Sequence, residues 1–131
     1  MNKQKVLVVD DNEINRKMVA IVLTAAGYEV ETVAGPKEAL AAIQVAPPVL
    51  ILMDIQMPGM DGYMLTRQLK ANPDTRDIVI VALTAFALKG EEDRAREAGC
   101  DGYIAKPIST RTFPKQVADY LAAPKSPVEM F

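Results

Sequence analysis

The chain has 131 residues, half of them hydrophobic, with 15 basic and 17 acidic side chains, one cysteine and no histidine. One domain of this size buries an ordinary core without crosslinks, and the missing imidazole excludes histidine as general base, metal ligand or phosphate carrier. Cys100 alone permits neither an intramolecular disulfide nor a thiolate metal cluster, and a net charge of −2 gives no nucleic-acid footprint.

Taken in chain order, Val6 to Val9 is a short apolar run of the kind expected in a buried parallel strand. Ile14, Met18, Ile21, Val22 and Ala25 then mark the inward face of a first helix, with Asp11 or Asn12 available as its cap. Tyr28 to Val33 alternates apolar with polar side chains, which suits a strand at a sheet edge with water on one side. Gly27 precedes it and Gly35-Pro36 follows it, and Ala39, Leu40 and Ile43 carry a second helix. A second buried run spans Val49 to Met53. The third helix is expected from about Gly62 to Ala71, with Met64, Leu65 and Leu69 inward and Asn72-Pro73-Asp74 ending it.

The last buried run is Ile78 to Leu83, followed by a charge-rich helix over roughly Gly90 to Ala98. The charges between Lys89 and Glu97 read as a solvated face. Tyr103 to Ala105 forms a short strand, and Phe113, Val117, Tyr120 and Leu121 share one face of a final helix. Pro114 belongs near the start of that helix, capped by Thr110 or Thr112, because a deeper proline forfeits a backbone hydrogen bond. Pro124 to Phe131 has no period, so the folded domain is expected over residues 1–123 and a disordered tail over 124–131. No stretch approaches the roughly 18 apolar residues of a membrane span, and a soluble, cytoplasmic protein is expected.

Five strands alternating with five helices specify a doubly wound α/β domain, for which a five-stranded parallel sheet in the order 2-1-3-4-5 is expected. Such sheets bind ligands beyond the carboxyl ends of their strands. The residues there are Asp10-Asp11 after the first strand, Asp54 after the third, Thr84 after the fourth and Lys106 after the fifth. With the first and third strands adjacent, three carboxylates converge, each close pair repelling by about 4 kcal/mol at 4 Å under an effective dielectric near 20. Oxygen ligands without His or Cys suit Mg²⁺ as the offsetting cation, and Lys106 adds a second positive charge. Such a site can take a phosphoryl group: Asp54 attacks, the metal and Lys106 neutralise its oxygens, and Thr84 donates a hydrogen bond. Polar residues also end strands and cap helices for structural reasons alone, but five of them at four strand ends of one sheet argue against coincidence.

From Lys5 to about Ala123 the sequence resembles the receiver domain of two-component response regulators, the CheY-like family. The resemblance rests on Val8-Val9-Asp10-Asp11-Asn12, on Leu52-Met53-Asp54-Ile55-Gln56-Met57-Pro58-Gly59-Met60-Asp61-Gly62, on Leu83-Thr84-Ala85 and on Tyr103-Ile104-Ala105-Lys106-Pro107. Within the family it looks most like single-domain regulators of the DivK type or receivers of hybrid histidine kinases. The resemblance implies that Asp54 is the phosphoacceptor, that Asp11 binds Mg²⁺ directly and Asp10 largely through water, and that the backbone carbonyl of Gln56 is a further ligand. It implies that Thr84 and Lys106 contact the phosphoryl oxygens and that Lys106-Pro107 is a cis peptide. The phosphohistidine is then supplied by a histidine kinase or a histidine phosphotransfer protein, consistent with the empty histidine count.

The resemblance further implies a switch, in which Thr84 moves toward the phosphoryl group, Tyr103 takes the vacated space, and the surface of helix 4, strand 5 and helix 5 changes for a downstream protein target. Gln56 and Phe86 occupy the positions where receivers tune access of hydrolytic water. Phe86-Ala87-Leu88 is either a partner-binding patch or packing beneath the next helix, and Met57, Met60 and Met64 are either a contact surface or gap-filling. Cys100 reads as a small buried residue. The rival function is a Mg²⁺-dependent phosphohydrolase with an aspartyl-phosphate intermediate, against which stand the lack of an Asp-x-Asp motif and of an inserted cap. A receiver belonging to a hybrid histidine kinase is the other alternative. No catalysis beyond the chain's own phosphorylation and dephosphorylation is expected, and neither direct nucleic-acid binding nor membrane insertion.

Overall fold

Ten elements alternate along the chain: β1 (Lys5–Val9), α1 (Glu13–Ala25), β2 (Glu29–Val33), α2 (Pro36–Val45), β3 (Leu50–Asp54), α3 (Gly62–Ala71), β4 (Val79–Thr84), α4 (Glu91–Ala98), β5 (Gly102–Ala105) and α5 (Phe113–Ala122). The computed structural model describes residues 3–55, 62–84, 91–106 and 108–122. Readings that concern Gln56, Met57, Met60, the Phe86-Ala87-Leu88 run, Lys89, Pro107 and the segment 124–131 lie outside the described residues. All five strands pair in parallel in the order β2-β1-β3-β4-β5, as expected for the doubly wound arrangement.

Side chains alternate across a strand, so each strand feeds two cores. Val6 and Val8 of β1, Leu50 and Leu52 of β3, and Val79 and Val81 of β4 meet Val19 and Leu23 of α1 and Phe113 and Val117 of α5. Their neighbours Leu7, Val9, Ile51, Met53 and Ile80 turn the other way, toward Ala39 and Ile43 of α2 and Leu65 and Leu69 of α3. With both faces covered, every residue of β3 and β4 is buried. That explains why these strands read as unbroken apolar runs rather than as alternating ones. β2 and β5 are the sheet edges, and β2 has exposed Glu29 and Thr32. A third cluster joins Tyr63 of α3 to Ala95 and Ala98 of α4, and the Arg94 guanidinium lies 5.3 Å from the Tyr63 ring centroid, a cation–π arrangement.

Two expected inward faces are corrected. In α1, Ile14 and Ile21 are 76% and 70% exposed and Ala25 is exposed, while Val19 and Leu23 are buried and Met18 and Val22 half-buried. The helix carries two apolar stripes, and the one through Val19 and Leu23 faces the sheet. In α3, Met64 is exposed, because Leu65, Leu69 and Thr66 define the buried face and Met64 lies about a third of a turn from it. Helix ends follow the expected chemistry: the Asn12 side chain caps α1 by accepting the Asn15 N–H at 3.0 Å, and Pro114 is the second residue of α5. No described helix is long and apolar enough to cross a membrane.

Candidate functional site

Parallel strands all point the same way, so the carboxyl ends of β1, β3, β4 and β5 open on a single edge of the sheet. Asp10 directly follows β1, Asp54 and Thr84 end β3 and β4, and Lys106 directly follows β5. One carboxylate oxygen from each of Asp10, Asp11 and Asp54 falls within 4.8 Å of the others. Asp10 and Asp54 are 1% and 3% exposed and Thr84 is fully buried, whereas Asp11 is open to solvent. Lys106 Nζ stands 3.2 Å from Asp10 Oδ2 and 3.5 Å from Asp54 Oδ2, and the Lys106 N–H donates to the Thr84 carbonyl at 2.6 Å.

One ammonium against three carboxylates leaves a net negative cluster, and mutual repulsion of about 4 kcal/mol per close pair is only partly offset by Lys106. The donor set fits a hard divalent cation. All ligating atoms are carboxylate oxygens, two of them are held by burial, and solvent reaches the third, which suits a magnesium ion that retains water ligands. The Gln56 carbonyl, implied as a further ligand, lies outside the described residues.

The Asp10 carboxylate is held on both sides. The Asn12 N–H donates to Oδ1 at 2.9 Å and Lys106 Nζ to Oδ2 at 3.2 Å, while the Asp10 N–H donates to the Val33 carbonyl of β2 at 3.1 Å. Asn12 therefore aligns the start of α1 and the first acid together. Beside them, a cavity of about 240 Å³ is lined by Asp10 and Lys106 and by apolar Met18, Val19, Leu83 and Ile108.

Sequence reasoning gave Gly62 no role at the site. A Cβ there would stand 2.7 Å from the Asp54 carbonyl oxygen and 2.9 Å from the Ile55 Cα, so α3 can begin this close to the acid only with glycine. Its signal in the sequence is a poor helix former in the first turn of a helix. Tyr103 is half-buried on β5, in register with Ala82 of β4. Cys100 is also half-buried; burial pushes its thiol up to about 11, and Sγ lies 3.9 Å from Thr66 Oγ1. That is the environment of an inert thiol.

Comparison with known proteins points the same way as this geometry. A family model described as the response regulator receiver domain matches residues 6–118. The polar-differentiation response regulator DivK of Brucella ovis is 42% identical over 118 residues, covering 90% of this chain and 96% of that protein. Among solved structures, the chemotaxis protein CheY4 of Vibrio cholerae superposes with a TM-score of 0.86 at 33% identity, over 91% of this chain and 99% of its own. The receiver domain of a sensor histidine kinase from Pseudomonas aeruginosa, described with a magnesium ion coordinated in its active-site cleft, gives 0.83 at 32% identity, over 93% of this chain and 100% of its own.

Proposed function

Because the chain belongs to the response regulator receiver family of two-component signalling, we propose that it accepts a phosphoryl group on Asp54 from a phosphohistidine of a histidine kinase or histidine phosphotransfer protein. The observation that carries this reading is the convergence of Asp10, Asp11 and Asp54 within 4.8 Å, with Lys106 reaching both buried acids. An Asp54 carboxylate oxygen attacks phosphorus while the P–N bond to the donor imidazole breaks, its electron pair leaving with the ring nitrogen, and an acyl phosphate results. Mg²⁺, when bound by Asp10, Asp11, Asp54 and the Gln56 carbonyl, supplies positive charge to the transferring oxygens.

The remaining work falls to the chain's own residues. Lys106 turns from its two acids toward the phosphoryl oxygens, and the Thr84 hydroxyl donates to the same group. Asp10 and Asn12 keep the acid pair aligned. The cavity between Asp10 and Ile108, with Met18, Val19 and Leu83 in its lining, gives the donor an apolar footing next to the acceptor. Movement of Thr84 is followed by Tyr103, and the α4–β5–α5 surface then changes for a downstream protein target. The cytoplasm is the compartment where such donors act, and protein contact rather than DNA binding is the output.

The test is phosphotransfer from a panel of histidine kinases labelled on their own histidines. At least one cognate donor is expected to lose label rapidly to this chain and not to Asp54→Asn. Steady turnover of a small phosphomonoester, with no transfer from any donor, contradicts the reading and favours a phosphohydrolase.

A further inference from the structure

We propose that Arg16 is a positioning residue for the acid pair, a role that rests on reading Asp10 and Asp11 as Mg²⁺ ligands. Arg16 belongs to α1, where its N–H makes an ordinary helical bond to the Asn12 carbonyl at 3.0 Å. Its guanidinium turns back toward the sheet, and Nη1 donates to the Asp10 carbonyl at 2.8 Å. That carbonyl lies between the last residue of β1 and the first of α1, and among the described residues no backbone N–H donates to it. A charged side chain supplies the donor instead.

The consequence is geometric. The Asp10 carbonyl belongs to the peptide that joins Asp10 to Asp11, so fixing it sets ψ of Asp10 and φ of Asp11 together. The Asp10 carboxylate has its own restraints in the Asn12 N–H and Lys106. Asp11 is exposed, and the peptide plane behind it is what aims its Cβ at the other two acids. Without that restraint, repulsion among the three carboxylates favours swinging the exposed one outward. Arg16 acts from the flank of α1 that carries Glu13, Lys17 and Ala20 and faces Thr32 of β2. Lys106 acts on the other flank, through the cavity it shares with Asn15 and Met18. One cation thus holds the acid's side chain and the other its backbone.

Positioning and simple charge predict opposite signs. Deleting a cation near an anionic cluster strengthens Mg²⁺ binding by Coulomb attraction alone, whereas releasing the peptide weakens it. Loss of an outer partner of a metal ligand typically costs about 10–100-fold in affinity. The experiment is calorimetric titration of Mg²⁺ into the wild-type chain, Arg16→Gln, Arg16→Lys and Asp11→Asn, with a urea midpoint for each. Arg16→Gln is expected to raise the Mg²⁺ dissociation constant about tenfold while acetyl phosphate labelling at saturating Mg²⁺ changes by less than about twofold. Arg16→Lys, which can still reach one carbonyl, should recover part of the loss. An unchanged or tightened dissociation constant in Arg16→Gln overturns the proposal, as does a loss that Arg16→Lys reproduces in full. If the wild-type chain binds no Mg²⁺, the reading of the acids fails and the proposal with it. If it binds, and Asp11→Asn alone weakens the site, only the role of Arg16 fails.

Discussion

The Tyr120 hydroxyl holds both backbone groups of Tyr103: it accepts the Tyr103 N–H at 3.2 Å and donates to the Tyr103 carbonyl at 3.1 Å. β5 is an edge strand, and edge groups of this kind are otherwise left to water or to another chain's strand. The ring lies against Gly102 so closely that an added Cβ there would collide with it. Tyr120→Phe keeps the ring and removes both bonds, so a loss of about 1–3 kcal/mol is expected, since a typical net hydrogen bond is worth about 0.5–1.5 kcal/mol. Urea denaturation should show a lower midpoint with an unchanged slope. An unchanged midpoint would mean that water replaces the hydroxyl at no cost.

Gly62→Ala should be disproportionately damaging for the addition of one methyl group. The new Cβ meets backbone atoms of Asp54 and Ile55 below 3.0 Å, and neither can rotate away. A destabilisation of about 1–3 kcal/mol is expected from overpacking, together with weaker Mg²⁺ binding, because the strain is relieved by moving Asp54. Wild-type stability and wild-type affinity in this variant would show that the approach of α3 to β3 is looser than described.

The two stripes of α1 give a matched pair of substitutions. Leu23→Ala, in the stripe that faces the sheet, should cost about 2–5 kcal/mol. Ile21→Ala, 70% exposed, should stay within about 0.5 kcal/mol. Comparable losses at the two positions would return Ile21 to the core.

Burial holds the Cys100 proton to about 11, above the ordinary 9.0 of the thiol. The folded chain therefore binds more protons than the unfolded chain between those values. The stability this contributes is complete below about pH 9 and is lost as the pH rises through about 11. Iodoacetamide at pH 8 should alkylate the native chain far more slowly than the urea-unfolded chain; equal rates would contradict the burial argument.

Much of this architecture is legible in the amino-acid sequence. Val6–Val9, Val49–Met53 and Ile78–Leu83 had to be central strands because only two-sided burial tolerates such runs, and chain alternation then fixed which ends carry Asp10, Asp54, Thr84 and Lys106. The inward face of α1 was not legible. Ile14, Met18, Ile21 and Ala25 are spaced as regularly as Val19, Val22 and Leu23, and periodicity alone cannot tell a core stripe from an exposed one. The Asn12 bond to Asp10, the Arg16 bond across the first turns and the Gly62 approach to Asp54 depend on where backbone meets side chain in space. None of these leaves a periodic trace.

The most direct test is to incubate the chain with acetyl phosphate and Mg²⁺ and to measure hydroxylamine-labile phosphate on the intact protein. We expect one phosphoryl group per chain, lost when EDTA removes the metal and absent in Asp54→Asn. Labelling that survives in Asp54→Asn, or a wild-type chain that takes no label with Mg²⁺ present, would contradict the assignment of Asp54 as phosphoacceptor.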